Sequence, residues 1–445
     1  MPHSYQVCKE SVLHKLTNVW HCEFIPRAVI AGSESNRAVG ARHVSPPSHL
    51  EKQAPSKKNF QRGCYSRLVT VLFSGMKNLI QEIRSWLVVS RILFQYLLYR
   101  LGFRACPTFM DHRPECKQVI GRVLGWPKRL RATGMEFCPK EHPAVFCCNH
   151  FKKDDPFVVE ASIYDASDRH IWVIPMMRDD FFKSHHRFFL FDPDELINMF
   201  GTLRISRDSV TLSQLKPFVE LLRSRGSFLM FPGRTRSQSG LLFEYREGIE
   251  EPGGPTFFAA QAQRNHPDLK VAIVPVARSY NPATKKTTVS YGKPLYLEGK
   301  SDRAAQRALD FRIIEEIGNA LELNVSNVLA GYLFLHRLHR RKTPIRLEEI
   351  EQDLQSVFAG VRERRRIDPD AVRNLPQEIH QSLRFFEKAG MLRRTRQEVY
   401  PNDEAILGVP ELGPLYRKKN PVKFLANQIA HMADVVRAIE DVVLD

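Results

Sequence analysis

The sequence predicts an α/β fold: a mostly parallel sheet flanked by helices, with an N-terminal amphipathic helical segment and a mainly helical C-terminal region. Three observations carry that expectation. Between about residues 126 and 300, short apolar or β-branched runs alternate with helical stretches, the pattern of buried strands covered by helices. Upstream, residues 68–103 combine apolar bulk with interspersed Lys and Arg. Past residue 300 the pattern turns mainly helical, and no internal repeat stands out.

Residues 1–60 are rich in Ser, Pro, His, Lys and Asn without sustained periodicity, which predicts a disordered or loosely attached extension. No apolar core follows a basic start there, so no signal peptide is expected. Residues 61–125 read as an amphipathic helical, membrane-associating segment. It holds LVTVLF and SWLVVSRILFQYLLY, but Lys77, Glu82, Arg84 and Arg91 interrupt it. No run reaches the ~20 apolar residues that span a bilayer. Such a helix can lie in a membrane interface or pack on the protein's own core, and both readings stay open. Residues 126–340 form the expected α/β domain. Its strands are AVFCCN (144–149), HIWVIPM (170–176), GSFLMF (226–231), VAIVPVA (271–277) and TTVSYG (287–292). Helices are expected over 209–224 and 255–263. Residues 341–445 form the helical C-terminal region.

Composition narrows the function classes. The chain has 445 residues, with 66 Lys or Arg against 49 Asp or Glu, a formal charge of +17 and a pI near 9.6. An apolar fraction of 43% and a mean hydropathy of −0.32 exclude a multi-spanning membrane protein. With 28 Phe, 12 Tyr and 4 Trp, wholesale disorder is not expected. The positive balance calls for an anionic partner: nucleic acid, an acidic membrane surface or a phosphorylated small molecule. All eight cysteines lie in the first 148 residues and none forms a C-x-x-C pair, so a zinc ribbon or thioredoxin-like site has no support. Cys147 and Cys148 sit in an apolar run and read as small core residues, in a reducing, cytosolic setting.

The chemistry concentrates at strand ends. After AVFCCN comes His150-Phe-Lys-Lys-Asp-Asp155-Pro156. Proline favours the first turn of a helix and Asp its cap, so His150 ends a strand and Asp155 opens a helix. A turn of that length can bring the carboxylate to the imidazole, holding one ring nitrogen protonated and leaving the other as a base. The plainer reading makes Asp155 only a cap and His150 an ordinary surface residue. Asp154 competes with Asp155; it is expected to face solvent beside Lys152 or Lys153. Three more segments follow: Gly201-Thr-Leu-Arg-Ile-Ser-Arg207 before a helix, Phe231-Pro-Gly-Arg234-Thr-Arg236-Ser237-Gln-Ser239-Gly240 after a strand, and Val274-Pro275-Val276 within a strand.

With NHFKKDDP, in this order, these segments resemble the four blocks of the glycerolipid acyltransferase superfamily, its HX4D motif first. VSYGKPLYL (289–297), NALELNVSNVLAGYLF (319–334) and FLANQIAHM (424–432) look like the larger glycerol-3-phosphate acyltransferases. The sequence departs from the pattern twice. Gly233 and Arg234 stand where the third block usually has Glu and Gly, and Arg204 stands where the second usually has an aromatic or apolar residue. What the resemblance implies is acyl transfer from a thioester to glycerol 3-phosphate in phospholipid biosynthesis, with lysophosphatidic acid as the alternative acceptor. His150 and Asp155 would be catalytic. Gly201, Arg207, Arg234, Arg236 and Ser237 would bind substrate, the arginines clamping the acceptor phosphate. The donor would be acyl-CoA or acyl carrier protein, with no bound cofactor. No His/Cys/carboxylate cluster has metal-ligand spacing. A peripheral position on the cytoplasmic face of an anionic membrane is expected.

A reading of another class comes from LPQEIHQSLRFFEKAGMLRR (375–394) and the following TRQEVYPN. They predict a helix, a turn at Gly390 and a strand pair, which with its basic residues is the pattern of a winged-helix module binding nucleic acid. On the acyltransferase reading that unit is a packing module, and nucleic acid is not an expected partner.

Overall fold

The structure is a computed structural model. It describes residues 57–103, 130–140, 143–167, 173–178, 202–206, 211–245, 251–266, 268–297 and 302–445, with isolated positions at 105, 107, 115, 116, 119, 122, 171 and 195. The expected extension therefore lies outside the described residues up to residue 56. The chain divides into two units, Met1–Leu93 with Pro114–Val119, and Phe94–Arg113 with Ile120–Asp445.

The N-terminal helix runs over Lys57–Arg100. Along its described side chains Ser85, Ile92 and Tyr96 are buried, while Leu79, Ile80, Ile83, Leu87, Phe94 and Leu97 are exposed. Those spacings are helical, so the exposed residues share a stripe. Among the described residues no helix is long and apolar enough to cross a membrane.

In the larger unit eight strands form one sheet in the order β1-β7-β6-β2-β5-β3-β4, with β8 also on β6. Five neighbours run parallel: β6 (Ala272–Tyr280), β2 (Ala144–Cys148), β5 (Ser227–Met230), β3 (Val173–Arg178) and β4 (Leu203–Ile205). β7 (Thr287–Tyr291) and β8 (Leu295–Tyr296) return antiparallel to β6, and β1 (Leu130–Thr133) pairs with β7. Every residue of β2, β5 and β7 is buried; in β2 and β5 that is what a nearly continuous apolar run requires. Cys147 and Cys148 are fully buried core residues. The expected strands thus all appear, and three short ones, β1, β4 and β8, join them.

Helices cross between the parallel strands. Asp155–Ala166 leads from β2 towards β3, Leu212–Arg223 from β4 to β5, and Pro255–Gln263 from β5 to β6. Thr211 and Gln214 close a capping box at the start of the second. Its Phe218 packs edge-on against Phe228 of β5 at 5.0 Å between ring centroids, and both meet Phe258 of the third.

The C-terminal region gathers around helix Val325–Leu338, of which all but Leu338 is buried. Asn324 caps it by accepting from the Asn327 amide. The predicted helix, turn and strand pair are present as Leu375–Lys388, Gly390 at φ 75°, β10 (Leu392–Arg394) and β11 (Glu398–Pro401). β9 (Ile345–Arg346) adds a third, antiparallel strand.

Candidate active site

The register of the central strands positions the site. Cys148 of β2 lies beside Val276 of β6, so continuing the pairing brings residue 150 level with residue 278. Asn149 extends the contact beyond the strand end: its amide donates to the Arg278 carbonyl at 3.0 Å and accepts the Arg278 N–H at 2.7 Å. The chain then turns through 151–154 into the helix. This is the carboxyl edge of a parallel sheet, where open α/β folds place their ligands.

His150 Nδ1 stands 2.8 Å from Asp155 Oδ2. The same oxygen accepts the backbone N–H groups of Phe151 and Lys152, each at 2.7 Å, which fixes the loop around the carboxylate. Asp155 Oδ1 accepts from the Arg278 guanidinium. That guanidinium also forks onto Asp154, at 3.1 and 3.0 Å. Asp155 is the first residue of its helix and Asp154 the capping position, so the expected cap is displaced by one residue. The Asp155 side chain reaches back to the loop and the imidazole instead. Asp154, expected in solvent beside a lysine, pairs first with Arg278, and Lys152 Nζ lies 3.8 Å away.

Arg278 is the residue sequence reasoning missed. Only 3% exposed, it is an arginine inside the core, held there by two carboxylates. A signal was present: a charged residue closing the apolar run VAIVPVA needs a buried partner. Burial pushes the Asp155 carboxyl up, but the Arg278 charge, the His150 hydrogen bond and charge and the Lys152 amide hold it below the usual carboxylate range. Burial likewise opposes the Asp154 charge, and Arg278 and Lys152 overcome it, leaving that carboxyl low too. With Asp155 accepting at Nδ1, the other ring nitrogen carries the free lone pair. The His150 ring lies on Phe231, 4.3 Å between centroids and 26° between planes.

The loop after β5 sits beside this dyad because β5 neighbours β2. The Ser237 amide donates to the His150 carbonyl at 2.8 Å. The Ser237 hydroxyl turns inward, donating to buried Glu244 at 2.9 Å and accepting from the Gly240 amide. Glu244 also accepts from the Ser239 hydroxyl and the amides of Gln238 and Ser239, so one carboxylate cinches the loop. Arg234 is exposed, with φ 59°, the left-handed region that suits glycine. Its guanidinium reaches the Pro252 carbonyl at 3.4 Å. Arg236 is half-buried; burial and the charge of Arg417 lower its affinity for a proton, against the pull of Asp155. Gly201 and Arg207 lie outside the described residues.

The C-terminal region closes the site. Helix Pro421–Asn427 lies on the loop: Asn427 donates to the Ser239 carbonyl at 3.0 Å. A Cβ on Gly240 would stand 2.0 Å from the Phe424 carbonyl oxygen, so this close approach, at φ 98°, admits only glycine. A cavity of about 490 Å³ opens beside the dyad. Its wall includes Lys152 from the dyad loop, Asp155 from the helix start and Arg278 from β6, with Phe385, Arg417 and Phe424 from the C-terminal region.

The model of the Acyltransferase family matches residues 129–279, the stretch that carries β1 to β6 and the dyad. Among solved structures, the 1-acyl-sn-glycerophosphate (LPA) acyltransferase PlsC from Thermotoga maritima is similar to this chain at 13% identity and a TM-score of 0.30, over 54% of this chain and 95% of that one. No curated protein matches the chain.

Proposed function

We propose that the protein transfers a fatty acyl group from a thioester to a hydroxyl of a phosphorylated glycerol. The observation that carries this reading is His150 held at 2.8 Å by a buried carboxylate whose charge Arg278 secures. The match of residues 129–279 to the Acyltransferase family supports the reaction class.

The dyad supplies what the chemistry needs. The bare ring nitrogen of His150 takes the acceptor hydroxyl proton as its oxygen attacks the thioester carbonyl carbon. Asp155 faces the resulting imidazolium and stabilises it without taking the proton. When the tetrahedral intermediate collapses, the C–S bond breaks and His150 returns the proton to the thiolate. Arg236 supplies positive charge for the acceptor phosphate, and Arg207 and Gly201 belong to the same proposed set. Ser237 acts through the loop that its hydroxyl ties to Glu244 rather than on the substrate. Acyl-CoA or acyl carrier protein serves as donor.

Glycerol 3-phosphate is the leading acceptor, because residues 289–297, 319–334 and 424–432 look like that branch. Lysophosphatidic acid is the second reading, favoured by the Phe151, Phe385, Phe424 and Leu425 side chains in the cavity wall, which suit a hydrocarbon chain. The exposed apolar stripe of helix Lys57–Arg100 and the charge of +17 support a peripheral position on an anionic, cytoplasmic membrane face. The test is direct: purified protein, labelled glycerol 3-phosphate or lysophosphatidate, and each donor in turn. Folded protein that transfers no acyl group in any combination refutes the reading.

A further inference from the structure

The cavity beside the dyad draws part of its wall from residues far outside the stretch 129–279 that matches the acyltransferase family. Two of those residues, Arg417 and Lys418, are cations on the short helix Tyr416–Lys419. Across the same cavity stands Lys152, from the dyad loop, its ammonium 3.6 Å over the Tyr280 ring. Lys152, Arg417 and Lys418 all line this cavity, so three cations converge on one space. The carboxylates at hand are committed elsewhere: Asp155 to His150 and Arg278, Asp154 to Arg278 and Lys152. Among the described residues no carboxylate pairs with Arg417.

The segment is also held in place. Tyr416 is buried, and its carbonyl accepts the Asn420 amide at 2.9 Å. The Asn420 side chain donates to the carbonyls of Ile406 and Gly408, and its own oxygen caps the next helix at Lys423. A guanidinium on an anchored backbone loses less freedom on binding an anion than one on a loose loop.

We propose that Arg417, assisted by Lys418, is the specificity-determining ligand for the acceptor's phosphate, supplied to the dyad by the C-terminal region. This rests on the acyl-transfer reading for its catalytic consequence, but the phosphate site itself is independently testable. A planar guanidinium presents two parallel N–H groups to two phosphate oxygens in a fixed fork, a geometry that the lysine point charge lacks. The apolar side of the cavity, with Phe385, Phe424 and Leu425, is left for hydrocarbon, so one cavity takes both the charged and the greasy parts of the reactants.

The experiment compares full-length parent, Arg417→Ala, Arg417→Lys and a control, Lys419→Ala, whose side chain is outside the cavity wall. Thermal melting checks folding. Calorimetry with glycerol 3-phosphate and with inorganic phosphate measures binding directly; kinetics with glycerol 3-phosphate, lysophosphatidate and phosphate-free glycerol measure its use. Loss of one charge-assisted contact predicts a roughly 10- to 150-fold weaker phosphorylated acceptor in Arg417→Ala, with incomplete rescue by lysine. The donor KM and the slow rate on glycerol stay at parent values, which a merely structural role would not allow. Parent protein that binds neither phosphate ligand, or folded Arg417→Ala that binds them as the parent does, overturns the proposal. If the parent binds phosphate through Arg417 yet transfers no acyl group, the phosphate site stands and the acyl-transfer reading falls.

Discussion

Replacing Arg278 with Met removes the cation on which both acidic side chains of the dyad loop converge, at nearly constant volume. Asp154 is 39% exposed at its side chain and rehydrates; Asp155, at 1%, does not. The cost therefore falls on Asp155, which keeps His150 and two amide donors but loses its full countercharge. Removing one partner of a buried pair costs about 3–5 kcal/mol, because the remaining charge is left uncompensated. The pH dependence gives the sharper test. In the parent the folded-state carboxyl of Asp155 lies below its ordinary value of 3.8, so its contribution is present above that value and is lost as pH falls through the folded one. In Arg278→Met burial is opposed less, so the folded value rises and the support that the parent draws from the charged carboxylate shrinks, a loss felt in full only where the group is ionised. Urea unfolding of both full-length proteins at pH 5 and pH 8 should show the larger difference at pH 8. A variant within about 1 kcal/mol of the parent at pH 8 would refute the assignment of Arg278 as the charge that secures the dyad.

Three further outcomes are expected. His150→Ala should lower acyl transfer by about 10²–10⁴-fold in a variant that still folds, since the residue is a base at a strand end; full activity in the folded variant would remove the mechanism. Arg234→Gly should stabilise the fold by about 1 kcal/mol in chemical denaturation, because φ 59° strains any side chain, and should leave turnover intact if the exposed guanidinium takes no part in binding. Asp310, buried under Thr256, has its carboxyl pushed up to about 6 by desolvation. Its folded value is raised, so its contribution is complete below 3.8 and is lost as pH rises through about 6. Asp310→Asn keeps an acceptor for Thr256 and should exceed the parent's stability at pH 8 by up to about 3 kcal/mol, with little difference at about pH 3.

The central strands were legible because burial on both faces demands continuous apolar runs, and AVFCCN, GSFLMF and VAIVPVA are such runs. The dyad was legible only in company: a strand end and a helix start five residues apart can bring His and Asp together, but it was the order of the other three segments that favoured this over a plain helix cap. Short edge strands were not: LRAT and LRI carry too few residues for any period to show. Arg278 was missed because its meaning depends on register, Cys148 beside Val276, which no single segment encodes. Ser237 looked available for substrate because the carboxylate that takes its hydroxyl, Glu244, lies seven residues on in unremarkable sequence. The closing wall at Arg417 and Phe424 is a contact between segments more than a hundred residues apart, beyond the reach of local pattern.

The contact of Gly240 with Phe424 has a consequence in time. During synthesis, the five parallel strands β2 to β6 and the His150–Asp155–Arg278 triplet have been made once Tyr280 has been added. Pro421, which opens the helix seated on Gly240, follows about 140 residues later. At roughly 5–20 residues per second that interval is on the order of 10–30 s. Throughout it the dyad lacks its outer wall and the cations of residues 416–419, so a ribosome-bound chain holds the base but not the chamber. Catalytic competence is thereby tied to the late part of translation, and a chain arrested after the sheet would be an inactive fragment that retains its histidine.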